Sequence, residues 1–128
     1  MNKDFDKWNK KKKEIHFASS NLPYLERDIW WCSLGINIGF EEDGNLETAE
    51  RPVIIFRGFS KELCWVIPLT TSIKKNRFYV RVGIVDRKEA SAMITQMRPI
   101  DTKRLINKIG LLDWDNFIKI EKAVKNLI

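Results

Sequence analysis

Up to Pro99 the hydrophobic residues fall into short runs set apart by polar punctuation. Residues 28–34 (DIWWCSL) are aromatic and apolar with no helical period, and residues 53–59 and 63–69 repeat that texture with Val, Ile and Phe. Such runs predict strands. The link between the second and third, carrying Ser60 and Lys61, is of hairpin length. Residues 78–85 (FYVRVGIV) alternate imperfectly and read as a further strand. Residues 90–96 fit a strand or a helix and are taken as a strand. After Pro99 the spacing turns helical. Asp101 or Thr102 would cap a short helix carrying Leu105, Ile106 and Ile109 and closed by Gly110. Asp113 would cap a last helix on which Phe117, Ile120, Val124 and Leu127 share a face. Strands first and helices last predict one α+β domain, mainly β. Its expected form is a compact, strongly curved antiparallel sheet or open barrel around one core, with C-terminal helices packed on it.

Two segments do not follow this pattern. Residues 3–16 (KDFDKWNKKKKEIH) read as a basic helix or arm, with Phe5, Trp8 and Ile15 near one face and Asp4 as its cap. The following ASSNLP breaks any helix and acts as a linker. The expected organisation is therefore a basic arm over residues 1–25 and a folded domain over 26–128. Residues 41–50 (EEDGNLETAE) form an acidic loop with no core residues of note.

Charge narrows the partners. The net charge of the 128 residues is +6, and it is concentrated. Residues 74–88 hold Lys74, Lys75, Arg77, Arg81, Arg87 and Lys88 against Asp86 alone. Such a field attracts polyanions, although a solvated basic hairpin would show the same composition. No apolar run reaches the length of a membrane span and no secretory h-region follows the basic N-terminus, so a cytoplasmic protein without membrane association is expected. Cys32 and Cys64 lie inside apolar runs and read as buried free thiols.

The residues present limit the chemistry. His16 is the single histidine, and it lies in the arm. There is no Ser-His-Asp set and no glycine-rich phosphate loop, and two cysteines with one histidine do not build a conventional zinc site. No cofactor is implied. What stands out is Arg51 at the start of one strand and Thr70 at the end of the next. If those strands form an antiparallel hairpin, both residues reach the same sheet edge. A guanidinium matches a phosphate bidentately, and a hydroxyl can donate to a phosphate oxygen or a leaving alkoxide. RNA brings its own nucleophile, the 2′-hydroxyl, so aligning it and stabilising charge would suffice. Arginine is a poor proton acceptor, which gives Arg51 charge stabilisation first. Thr71 and Ser72 would add hydrogen bonds, and Lys74, Lys75 and Arg77 would line the approach of the backbone. The alternative is a surface ion pair of Arg51 with Glu50 or Glu47, with the threonines merely suiting a strand end.

Taken together, ERDIWWCSLG, GFEE, ERPVIIF, VIPLTTSIKK and SAMITQMRPIDTKRLINKIG resemble the PemK/MazF family of toxins from bacterial toxin–antitoxin pairs. The resemblance runs over residues 26–110. It is carried best by Arg51-Pro52 opening a strand, Pro68-Leu69-Thr70 closing the next, and Gln96-Met97-Arg98 followed by Ile100-Asp101. It implies an SH3-like barrel with terminal helices, usually a homodimer. It also implies a metal-independent, sequence-specific endoribonuclease cutting single-stranded messenger RNA to 2′,3′-cyclic phosphate and 5′-hydroxyl ends, and a cognate antitoxin that blocks the RNA groove. In the MazF branch the positions matching Arg51 and Thr70 carry the chemistry. Gln96 and Arg98 match positions near the RNA surface, and Glu41 matches an acidic position of the first loop. Some PemK-type members instead use an Arg-x-Asp pair, where this chain has Met93 and Thr95, and a loop histidine, where it has Phe40. That version of the site is absent. The first loop is longer and more acidic than usual, and residues 1–25 lie outside the pattern. The scaffold is shared with gyrase-poisoning CcdB-type toxins, so a non-enzymatic binder or an inactive RNA-binding relative remains the alternative from sequence.

Overall fold

A computed structural model describes residues 22–34, 50–72 and 74–128. The helix expected over residues 3–16, most of the acidic loop and Glu41 lie outside the described residues. Within them, β1 (Asp28–Ser33), β2 (Glu50–Gly58), β3 (Leu63–Thr70), β4 (Tyr79–Val85), β5 (Lys88–Met93), β6 (Arg98–Asp101) and β7 (Leu105–Leu111) precede α1 (Trp114–Lys125). The ladders are antiparallel in the order β4-β5-β3-β2-β1-β7. β3 changes partner along its length: Leu63–Val66 pair with β6, while Leu69 and Thr70 pair with β5. A 3₁₀ turn, Ile94–Gln96, carries the chain from one pairing to the other. That switch curls the sheet into a half-barrel.

The expected single core is two clusters, one on each face of the sheet. Val53–Phe56 is apolar at every position, so both faces of β2 must be covered. Ile54 and Phe56 join Ile67, Leu69, Phe117 and Ile120 under α1, and Val53 and Ile55 join Cys32, Cys64, Val66 and Ile100 inside the barrel. Tyr24 and Leu22 complete the interior cluster, although the sequence places both in the arm or linker. The Tyr24 hydroxyl donates to the carbonyls of Ser60 (2.6 Å) and Leu63 (3.0 Å), fastening the start of the domain to the β2–β3 hairpin. The β4–β5 turn is the pair Asp86-Arg87, both with positive φ, as a two-residue hairpin turn of right-handed twist requires.

The helix expected over residues 101–110 is not formed. Asp101 does cap, accepting from Lys103 N at 2.9 Å, but what it caps is a 3₁₀ turn over Thr102–Arg104. Leu105, Ile106 and Ile109 then extend as β7, which satisfies the backbone groups on the open side of β1, Leu105 opposite Cys32 and Leu111 opposite Asp28. Gly110 lies opposite Ile29 in this ladder and is no helix cap. Only one C-terminal helix packs on the sheet. It is the one expected after Asp113, which accepts from Asn116 N. Residues 90–96 are strand to Met93 and 3₁₀ beyond it.

Candidate active site

The β2–β3 hairpin places the two residues singled out from the sequence. Val53 pairs with Pro68, and the same register carried two residues further sets Arg51 opposite Thr70. Arg51 also pairs with Cys32 on β1, Thr70 with Ser91 on β5, and Ser91 with Arg81 on β4. Residues directly opposite in a ladder share a face. Cys32, Arg51, Thr70, Ser91 and Arg81 therefore form one row across the sheet, on the face that encloses the barrel interior. Alternation makes the row polar where it does: the flanking Leu69, Ala90 and Ala92 point to the other face, beneath α1.

Arg51 is only 9% exposed, so it is not a solvated surface residue, and Glu47, one of the two ion-pair partners of the alternative reading, lies outside the described residues. Its Nη1 donates to the Leu69 carbonyl at 3.1 Å, which fixes the plane of the guanidinium beside Thr70. The Glu50 carboxylate accepts from Trp31 Nε1 at 3.0 Å. Thr70 is buried, and its Oγ1 accepts from Ser72 N at 3.1 Å. Accepting that bond turns the hydroxyl toward donation and polarises it as a donor. The pair thus presents a directed cation and a directed O–H at one strand end.

Next to it is a small hollow lined by Thr71, Ser72, Lys74, Lys75, Arg81, Glu89 and Ser91. Four of the sequence-selected residues, Thr71, Ser72, Lys74 and Lys75, meet here. Arg81 and Ser91 were not selected. They belong to the site only through the β3–β5–β4 pairing, and a run of alternating strand residues carries no signal of it. Arg81 forms an ion pair with Glu89. Arg77 faces elsewhere: its guanidinium lies 4.9 Å from the centroid of the Phe78 ring, and it lines a cleft with Ala123, Asn126 and Leu127 at the end of α1. Gln96 stands in the 3₁₀ turn between β5 and β6, and Arg98 begins β6 opposite Val66, in the middle of β3. Burial pushes the Cys32 thiol up to about 11 and that of Cys64 to about 12; Arg104 and then Arg98 oppose the rise at Cys32. Both thiols are free and buried, as expected, and neutral thiols are poor nucleophiles.

Comparison with known folds and families agrees with this geometry. The toxin MazF-mt6 of Mycobacterium tuberculosis superposes with a TM-score of 0.62 at 20% identity, over 78% of this chain and 94% of that one. A mycobacterial endoribonuclease in complex with its cognate antitoxin gives 0.59 at 15%, over 80% and 92%. MazF from Deinococcus radiodurans gives 0.61 at 14%, over 83% and 96%. At such identities these similarities establish the fold. Comparison with curated protein sequences finds no match. A family match, covering residues 26–128, is to the PemK-like, MazF-like toxins of type II toxin–antitoxin systems. With the half-barrel and the Arg51–Thr70 edge in place, the chain belongs to the PemK/MazF toxin family.

Proposed function

We propose that the protein is a sequence-specific endoribonuclease of single-stranded messenger RNA, the toxin of a toxin–antitoxin pair, and that residues 26–128 carry the activity. The observation that supports it best is the adjacency of Arg51 and Thr70 across the β2–β3 ladder, with each side chain oriented by a hydrogen bond to β3 or the residues just after it. The ribose 2′-hydroxyl attacks the adjacent phosphorus, the bond to the 5′-oxygen breaks, and that oxygen leaves with a proton as a 5′-hydroxyl. The other product is a 2′,3′-cyclic phosphate. Arg51 stabilises the negative charge that builds on the phosphoryl oxygens, and Thr70 donates to the phosphate or the leaving oxygen. Ser72, Thr71, Lys74 and Lys75 hold the flanking backbone, and Gln96 and Arg98 contact the RNA further along the same side of β3. No cofactor takes part in this scheme.

The protein acts as a homodimer and is held silent by a cognate antitoxin that covers the RNA surface. Leu111, Ile106, Ile109, Trp114 and Ile118 expose apolar area along β7 and α1 that suits a subunit interface. Light scattering should give twice the monomer mass; a monomer at working concentration rejects the dimer. The activity is tested by incubating the protein with a long single-stranded RNA in EDTA, beside Arg51→Ala and Thr70→Ala, and mapping the ends. Discrete cuts with cyclic-phosphate ends, lost in both variants, are expected. An intact RNA with well-folded protein overturns the assignment.

A further inference from the structure

The face of the sheet that carries α1 is covered only in part. Leu63, Trp65, Ile67 and Leu69 alternate along β3 and so point to this face. Ile67 and Leu69 are buried beneath α1, whereas Trp65 and Leu63 are 37% and 42% exposed. The reach of the helix ends at Arg57, the residue opposite Trp65 on β2, whose Nη2 meets Glu121 of α1 at 2.9 Å. Beyond it the Phe59 ring stands edge-on to Trp65, with centroids 5.1 Å apart, and Pro99 lies opposite Trp65 on β6. Phe59 and Pro99 are exposed as well. Residues directly opposite in a ladder share a face, so these four apolar side chains form one bare patch at the β2–β3 hairpin. A contiguous patch, unlike scattered single residues, marks an interaction surface.

The chain itself supplies a covering segment. The description of the domain starts at Leu22, and two residues later the Tyr24 hydroxyl is held by the carbonyls of Ser60 and Leu63, in the hairpin that bears the patch. From the same hairpin Gly58 N donates to the Glu26 carboxylate at 3.3 Å. Residues 1–21 therefore join the domain beside the patch. Their sequence carries Phe5, Trp8 and Ile15 at the spacing of one helical face. The seven residues from Leu22 back to Ile15 span about 24 Å when extended, against about 10 Å from one face of a sheet to a layer packed on it. Charge selects the place. At the patch Lys61 and Arg57 are matched by Glu62 and Glu121, so a segment with six lysines against Asp4, Asp6 and Glu14 meets no net positive field. Over the catalytic edge it would meet Lys74 and Lys75.

We propose that residues 1–21 dock on this patch, with Phe5, Trp8 and Ile15 packed against Phe59, Leu63, Trp65 and Pro99. The occupant is this segment, not a second copy or another protein, because it is tethered at the patch. A short tether gives an effective concentration on the order of millimolar, so a contact too weak to hold a free partner is still occupied. The family match begins at residue 26 and assigns no role to the segment. Trp65 lies on the face opposite that of Arg51 and Thr70, so the docked segment leaves the catalytic edge open. The inference stands independently of the ribonuclease reading.

The test uses the full chain with Asn9→Cys carrying a nitroxide, and wild type as the control for labelling at the buried Cys32 and Cys64. Isotope-labelled protein bearing the nitroxide is diluted into an excess of unlabelled protein without it, so that NMR reads contacts within one chain. The Trp65 indole N–H and the amides of Phe59 and Leu63 should lose their signals and regain them when the nitroxide is reduced. A Trp65 signal that survives overturns the proposal. Loss only when nitroxide and isotope sit on different chains gives the patch to a second copy, and loss at Thr70 and Ser72 in place of Trp65 puts the segment over the catalytic edge; both overturn it. Urea melts give an independent reading. Trp8→Ala and Trp65→Ala should each lower the midpoint, and together by less than the sum of the two shifts. Additive shifts, or an unchanged midpoint in Trp8→Ala, mean that the two side chains do not meet and overturn it.

Discussion

Replacing Thr70 by valine keeps the shape of the side chain and removes one oxygen, so it isolates what that oxygen does. In the fold, the oxygen accepts the Ser72 N–H at 3.1 Å. Losing that bond costs about 1 kcal/mol at most, because Ser72 is half-buried and water replaces part of the acceptor. For a chain of 128 residues this is a fall of about 4 °C in Tm. In the proposed reaction the same oxygen donates to the phosphate or the leaving group. Removing one such donor costs about 10²–10³-fold in kcat, or about 3–4 kcal/mol. The two effects are separable. A domain of ordinary stability, about 5–15 kcal/mol, remains more than about 99% folded after losing 1 kcal/mol. Instability therefore cannot account for a hundredfold slower reaction. Thr70→Ser keeps the oxygen and should stay within a few-fold of wild type on both measures. The assay is single-turnover cleavage of a fluorogenic RNA at saturating protein, run beside a thermal melt. A Thr70→Val protein that cleaves within about threefold of wild type refutes the role given to Thr70. If the donor acts together with the guanidinium, Arg51→Ala combined with Thr70→Val should be hardly slower than Arg51→Ala alone.

Gly58→Ala should destabilise by about 1–3 kcal/mol, because a Cβ there comes 2.7 Å from Cε1 of Tyr24, a ring pinned at its hydroxyl by two carbonyls; a urea melt showing no loss refutes the steric argument. Asp28→Ala should cost about 2–4 kcal/mol. The 2%-exposed carboxylate accepts from Leu25 N and Trp30 Nε1 and has Lys108 Nζ 3.2 Å away; a melt within error of wild type would count against it. Stability should also fall at high pH. Both thiols titrate higher in the folded chain, at about 11 and about 12, than at the ordinary 9.0 of the unfolded one. Their contribution is complete below pH 9 and is lost as pH rises toward the folded values, by about 3 kcal/mol in total at pH 10. Urea melts at pH 8, 9 and 10 measure this, and a flat profile contradicts it.

What the sequence determined is what short-range pattern encodes. β-branched and aromatic runs specified β1 to β4, because such side chains suit a pleated surface whatever they pair with. Asp113 and the helical spacing after it specified α1. The Arg51–Thr70 pair was legible because a hairpin of known length leaves one register that buries both apolar runs, and that register fixes which ends meet. Glu41 was selected too, and it stands in the acidic loop beyond the described residues. The tertiary structure decided the rest. Residues 105–111 carry enough β-branched character for a strand and enough helical spacing for a helix; the unsatisfied backbone of β1 chose the strand. The split into two cores follows from strand pairing on both sides of β2, as does the inclusion of Tyr24. Ser91 and Arg81 join the polar row only because β3 pairs with β5 and β5 with β4. Nearest-neighbour preferences act over a few residues. The residues of the polar row come from strands far apart in the chain, from Cys32 on β1 to Ser91 on β5. No local propensity carries that information, whereas the ladder of backbone hydrogen bonds does.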